Sequence, residues 1–327
     1  MRPRRSERGA ALLTVLLLVA VMAILSATAL EKLRMSTRLA GNALALDQAR
    51  AFAMAAETVA LGRIDTLIDA DPGRTTLAGG WNGRQTRLPL PGGIATVRVT
   101  DGGNCFNLNS VVSGQSGGVL ETRPMGVAQF AALMEAIGIG RGDAARIAAS
   151  LADWIDSDDV PGPLGAEDAA YRDLPTPYRT GGTLLADVSE LRAVAGVTAD
   201  IYKLIRPWTC ALPVTDLSPI NVNTLLPEQA PLFVMLMPDR LTLDRARRLL
   251  SERPVDGYAS LYEFWKLPAL DGLGAPPEVS EQTTIRTRWF AMEMRVELGG
   301  ADLDESALVD AGIAPARLVR RSWGEAG

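Results

Sequence analysis

AALLTVLLLVAVMAILSATAL, residues 10–30, runs for 21 residues without a charge directly behind the basic leader MRPRRSERG. As a helix at 1.5 Å per residue it would span about 31 Å, the thickness of a bilayer's hydrocarbon core. Arg2, Arg4, Arg5 and Arg8 precede it; by the positive-inside rule they stay in the cytoplasm and everything after Leu30 crosses. Three readings compete: a cleaved secretory signal, a plain single-span anchor, and a chain processed between Gly9 and Ala10, ahead of the apolar run. The helical pattern does not stop at Leu30. Between Ala10 and Pro72 the only glycines are Gly41 and Gly62, and Ala, Leu, Met and charged residues dominate, all good helix formers. One helix over 10–68, near 90 Å long, is the simplest account. Leu33, Thr37, Ala40, Leu44 and Phe52 fall on one apolar stripe, the expected packing face of its second half.

Outward from this rod the pattern changes. DPGR at 71–74 breaks the helix. GRQTRLPL and GIATVRVTD, separated around Pro91–Gly92–Gly93, read as a hairpin, and NCFNLNS as a further short strand. Over 119–274 the pattern becomes short helices, at 126–138, 142–155, 187–194, 198–204, 227–236 and 243–253. TTIRTRWFAMEMRVELG and PARLVRRSWG read as strands that rejoin the first sheet. The expectation is an α+β fold: a long N-terminal helix on an antiparallel sheet, with a large all-α insertion. The segments are a leader (1–9), a transmembrane helix (10–30), spine helix and first part of the sheet (31–118), helical insertion (119–274) and return to the sheet (275–327).

Composition narrows the function. Of 327 residues 47% are apolar and 5% aromatic, and net charge is −5. Removing the leader takes away a net +3 and leaves −8, a poor match for nucleic acid. There is no histidine, which excludes Ser-His-Asp triads, His general bases and His-ligated zinc. Cys105 and Cys210 are the only cysteines. In an exported chain that is the arithmetic of one disulfide; two unrelated buried thiols are the alternative.

The densest polar cluster is LADWIDSDDVPGPLGAEDAAY, with Asp153, Asp156, Asp158, Asp159, Glu167 and Asp168. Crowded carboxylates without His or Cys suit a hard cation such as Ca²⁺. Asp156, Asp158 and Glu167 occupy positions 1, 3 and 12 of an EF-hand-like spacing, but Val160 and Pro161 stand at positions 5 and 6, so this is not an EF-hand loop. A solvated acidic loop whose aspartates cap helices is the other reading. VSELRAVAGVTADIYKLIRPW and SPINVNTLLPEQ resemble helix-hairpin-helix units. Arg192, Lys203 and Arg206 are offset there by Asp187, Glu190 and Asp200, so packing is favoured over DNA binding. No phosphate-binding loop or convergent nucleophile is present, and no enzyme is expected.

A basic leader ending in Gly9, then Ala10 and an apolar run, resembles a type IV pilin or pseudopilin precursor. That resemblance implies cleavage after Gly9 and N-methylation of Ala10. Thr14 stands where such chains usually carry Glu, which suits a subunit with no neighbour ahead of it. With CFNLN (105–109), DWIDSDD (153–159), GAED (165–168), DVSELR (187–192) and INVNT (220–224), the chain resembles the large minor pseudopilins of the type II secretion system, the general secretion pathway protein K family, over nearly its whole length. The resemblance implies a pilin fold with a helical insertion, Ca²⁺ held there through Asp156, Asp158, Glu167 and Asp168, and a periplasmic Cys105–Cys210 disulfide. It further implies a place at the tip of a short pseudopilus that starts or caps assembly, anchored in the inner membrane with the C-terminal domain in the periplasm. Expected partners are other minor pseudopilins, the major pseudopilin, the inner-membrane secretion platform and secreted substrates, with no nucleic acid. A membrane-anchored DNA-uptake protein is the alternative.

Overall fold

A single helix, α1 (Ser6–Ala70), forms the rod. The computed structural model describes residues 6–324; residues 1–5 and 325–327, and with them Arg2, Arg4 and Arg5 of the leader, lie outside the described residues. Asp71 ends the helix because the residue before a proline is pushed out of helical geometry. Its carboxylate then accepts from the Gly73 amide at 3.2 Å and from Arg74 at 2.8 Å.

Five antiparallel strands pack against the upper half of α1: β1 (Gln85–Leu90), β2 (Gly93–Asp101), β3 (Trp289–Leu298), β4 (Ala301–Asp310) and β5 (Arg317–Trp323), in that spatial order. The rod buries Ala49, Ala53, Ala56, Ala60 and Ile64 against Phe290, Met292, Met294 and Val296. These rod positions recur at three- and four-residue steps and so share one face, and alanine lets the helix approach the sheet closely. The stripe expected from sequence is not this face. Leu33 and Leu44 are 67% and 61% exposed, because the sheet begins only beside Ala45, which approaches Gly299. The rod below it stands free.

β2 and β3 are neighbours, with Asp101 opposite Phe290. All of residues 102–288 is therefore inserted between two adjacent strands, whereas the sequence pattern set the helical segment at 119–274. The insertion holds α2 (Pro124–Ala136), α3 (Arg141–Ile155), α4 (Asp168–Arg172), α5 (Ala199–Ile205), α6 (Ala230–Val234), α7 (Leu243–Ser251), α8 (Leu261–Trp265) and α9 (Pro277–Gln282). Its core, around Phe106, Phe130, Leu133, Ile147, Leu151 and Phe233, is separate from the rod–sheet core. The 187–194 segment is a 3-10 turn (Val188–Ala193) whose N-terminal end is closed by a capping box between Asp187 and Glu190. NCFNLNS gives only a two-residue strand, Phe106–Asn107, paired parallel with Thr209–Cys210, before a 3-10 turn. Cys105 and Cys210 are disulfide-bonded, with Cα atoms 5.8 Å apart.

The insertion leaves the sheet at the end nearest the C-terminus of α1, far from the apolar span. A second contact seats it on the sheet's other face, where Leu212 packs against Trp289 and Leu308.

Candidate metal centre

The acidic loop follows α3 and leads into α4. Asp156 caps the C-terminus of α3, Asp158 lies in the turn beyond, and Glu167 precedes α4. Between them Pro161 and Pro163 bar helix and the glycines allow close returns. Carboxylate oxygens of Asp156, Asp158 and Glu167 come within 4.8 Å of one another. Asp156 and Glu167 are buried and Asp158 is exposed. Three oxygens of this group (Asp156 Oδ1, Glu167 Oε1 and Oε2) are buried without a hydrogen-bond partner. Such orphaned acceptors are costly. Burial, then the neighbouring Asp156 and Asp153 charges, push Glu167 up to about 7, and burial also raises Asp156. Crowded all-oxygen donors of this kind fit a hard divalent cation, which would satisfy the orphaned oxygens and neutralise their mutual repulsion.

Asp168, expected in the same set, is placed elsewhere. Its carboxylate accepts from the Thr180 amide at 3.0 Å and the Thr180 hydroxyl at 3.1 Å, and lies 3.7 Å from Arg179. Those hydrogen bonds, the Thr180 amide first, hold its carboxyl below the usual range. One supporting residue was missed from the sequence. Thr122, on the short strand Leu120–Thr122, donates to Asp156 Oδ2 at 2.8 Å; nothing in the sequence joins it to a loop more than thirty residues on. Asp153 is buried and accepts from the Gly162 amide at 3.1 Å. A Cβ on Gly165 would fall 1.9 Å from Asp153 Oδ2, so only glycine lets the loop close over that carboxylate.

The other sequence motifs turn out to hold backbone in place. In CFNLN, the Asn107 amide group donates to Val214 O and Asp216 O and its oxygen accepts from the Leu212 amide. Asn109 donates to Leu185 O and Leu212 O and accepts from the Leu185 amide. In INVNT, Asn221 donates to Thr287 Oγ1 at 2.9 Å and Thr75 O at 3.2 Å, and its own amide donates to Asn104 Oδ1 at 2.8 Å. Thr224 and Thr287 both donate to Asp101 Oδ2 at the end of β2. Burial pushes that Asp101 carboxyl up. These bonds tie the rod's exit, the sheet and both ends of the insertion together. The hairpin-like segment offers no free basic face of the kind DNA needs: Lys203 lies 3.7 Å from Asp200, and Arg192 stacks over Tyr202.

An apolar rod on a small antiparallel sheet, with helices inserted between two strands, defines a pilin-type fibre subunit with an enlarged head. Among the described residues α1 is the one helix long and apolar enough to cross a membrane. Comparison with known proteins makes the class specific. Residues 104–214 and 220–286 match the two family profiles described as "Type II secretion system (T2SS), protein K". The chain is 33% identical to the type II secretion system protein K of Pectobacterium carotovorum over 98% of both chains, and 34% identical to that of Aeromonas hydrophila over 90% of both. Its fold is similar to a chain in the crystal structure of the GspK–GspI–GspJ complex from enterotoxigenic Escherichia coli, with TM-score 0.74 and 28% identity over 85% of this chain and 96% of that one. The chain belongs to the type II secretion system protein K family. It is a structural pseudopilin of the secretion apparatus and not an enzyme, and the DNA-uptake alternative finds no support.

Proposed function

We propose that this subunit sits at the tip of the pseudopilus, beside other minor pseudopilins, and starts or caps its assembly. The observation that carries this reading is the topology. The helical domain leaves from the sheet end farthest from the membrane span, where a further subunit would otherwise stack. Assembly with GspI- and GspJ-type partners is supported by the likeness to the GspK–GspI–GspJ complex; contacts with the major pseudopilin, the inner-membrane platform and secreted substrates belong to the same reading. Thr14 is consistent with it, since its hydroxyl donates to Ala11 O at 2.9 Å within its own helix and asks nothing of a neighbour. The anchor lies in the inner membrane, with the head in the periplasm. Cleavage falls after Gly9 and leaves N-methylated Ala10, and Asp156, Asp158 and Glu167 hold a structural Ca²⁺.

The register supplies the test. Asp101 and Phe290 are opposite one another, so a short turn can replace residues 102–288, with Asp101→Asn included to avoid a stranded carboxylate. This variant should still enter the membrane and be processed, but pseudopilus initiation and secretion should fail. Normal fibres and normal secretion would refute the capping role. Mass spectrometry of the membrane-extracted chain tests processing: methylated Ala10 supports it, and an intact Met1 refutes it.

A further inference from the structure

A groove of about 600 Å³ runs between α1 and the edge strand β1. Val59 and Arg63 form part of its helix wall, and Trp81, Arg84, Leu88 and Val97 part of the other. The Trp81 ring is fixed by its indole N–H, which donates to Thr76 O at 2.7 Å, and by a tilted contact with Phe290, centroids 5.4 Å apart. Val59 is 49% exposed on the rim. Arg63 and Arg84 are exposed there too, and among the described residues neither side chain meets a carboxylate. Four other arginines in or beside the sheet are paired with carboxylates: Arg98 with Glu293, Arg288 with Asp310, Arg295 with Asp302 and Arg321 with Glu57.

We infer that this groove receives an α-helix of a companion subunit, apolar along the side that meets the rod and carrying carboxylates that reach Arg63 and Arg84. The inference rests on the assembly reading above and names its surface. Two observations select this occupant. One is charge: two unpaired guanidiniums flank an apolar trough, a surface complementary to an acidic amphipathic segment. The other is continuity. Leu30, Leu33, Leu44 and Val59 are all exposed and, at 100° per residue, fall within an arc of about 80°. The apolar line on the free part of the rod therefore leads up into the groove. A rod-like helix can follow that line along its length; a small amphiphile could occupy only the groove.

The experiment uses the full chain in detergent with the GspI- and GspJ-type proteins of its own secretion system. Arg63→Glu with Arg84→Glu should weaken complex formation about tenfold or more. It should leave the thermal melt of the chain alone unchanged, because neither side chain has a partner among the described residues. Should the reversed variant melt early, Arg63→Gln with Arg84→Gln carries the same test: the affinity should lose most of its salt dependence. A photocrosslinker at Val59 should join a companion helix next to a carboxylate, and changing that carboxylate to lysine should restore binding to the reversed variant. Unchanged affinity in both variants, or crosslinks only to lipid, would overturn the inference while leaving the assembly reading intact. Failure of the unaltered chain to form any complex would overturn both.

Discussion

Glu305→Gln should stabilise this protein at neutral and alkaline pH and change little in acid. Glu305 points from β4 toward α1, in a row with Leu303, Ala307 and Val309 that is otherwise apolar. Arg321 Nε lies 3.3 Å from it, but that guanidinium is already committed to Glu57 on the rod, through contacts of 2.7–2.9 Å. Both Glu305 oxygens are left without a hydrogen bond. Burial, then the Glu57 carboxylate, push Glu305 from an ordinary 4.5 to about 7. A raised carboxyl binds its proton more tightly folded than unfolded, so its stabilising effect is complete below about 4.5 and is lost as pH rises to 7 and beyond. The gap corresponds to about 3 kcal/mol. Glutamine keeps the shape and the neutral state at every pH. Urea unfolding of the two chains from acid to alkaline pH should show curves that coincide near pH 4.5 and diverge to about 2–3 kcal/mol in favour of the variant by pH 8. Titrating groups that do not touch Glu305 are common to both proteins and cancel. A variant less stable at pH 8, or a difference that does not vary with pH, would refute the argument.

Replacing Cys105 and Cys210 by serine releases a loop with a sequence separation of 105 and should cost about 4–5 kcal/mol in the chain-entropy account, read as a lower urea midpoint. Asn221→Ala strands Thr75 O and part of Thr287 in a buried seam; it should cost about 2–4 kcal/mol and speed proteolysis between sheet and insertion, whereas an exposed control, Asp302→Ala, should do neither. Chelator should lower the melting temperature of the unaltered chain, with Ca²⁺ restoring it. Asp156→Asn with Glu167→Gln should melt independently of both additions, and an unaltered chain indifferent to Ca²⁺ would remove the cation from the account.

The rod was legible because its cause is local: no proline between Ala10 and Pro72 and a long run of helix formers. The hairpin and β3 were legible by their alternation. β4 was not, because Asp302, Asp304 and Glu305 interrupt the expected pattern and the acid at 305 faces inward. The buried face of the rod was hidden for a related reason. It is built of alanines, and the larger Leu33 and Leu44 drew the stripe to a segment the sheet never reaches. At the candidate centre, composition pointed to the loop, and spacing to three of its acids. It could not separate Glu167 from Asp168, adjacent in sequence but differently placed, since the Glu167 oxygens have no hydrogen-bond partner and Asp168 accepts from Thr180. Nor can spacing show Asn221 meeting Thr75, which depends on a fold that closes across nearly half the chain.

The hydrogen bonds around Asp101 explain how so large a head is held firmly on so small a sheet. An insertion joined to a sheet by two flexible strands would swing, and force along the rod would not fix its position. Here the two crossings lie side by side, and Asp101 at one meets Thr287 at the other. Asn221 reaches back to Thr75 just beyond the rod's end, and the Thr75 amide donates to Ile285 O at 2.8 Å. On the far face Arg320 of β5 donates to Ala211 O at 3.0 Å, beside the Leu212–Trp289 contact. Attachments at both the end and the face of the sheet remove the hinge that either alone would leave. Each is a polar bond or apolar contact, buried or partly buried, that must be broken for the head to tilt, so displacement of the rod is carried to the helical domain as the movement of one body.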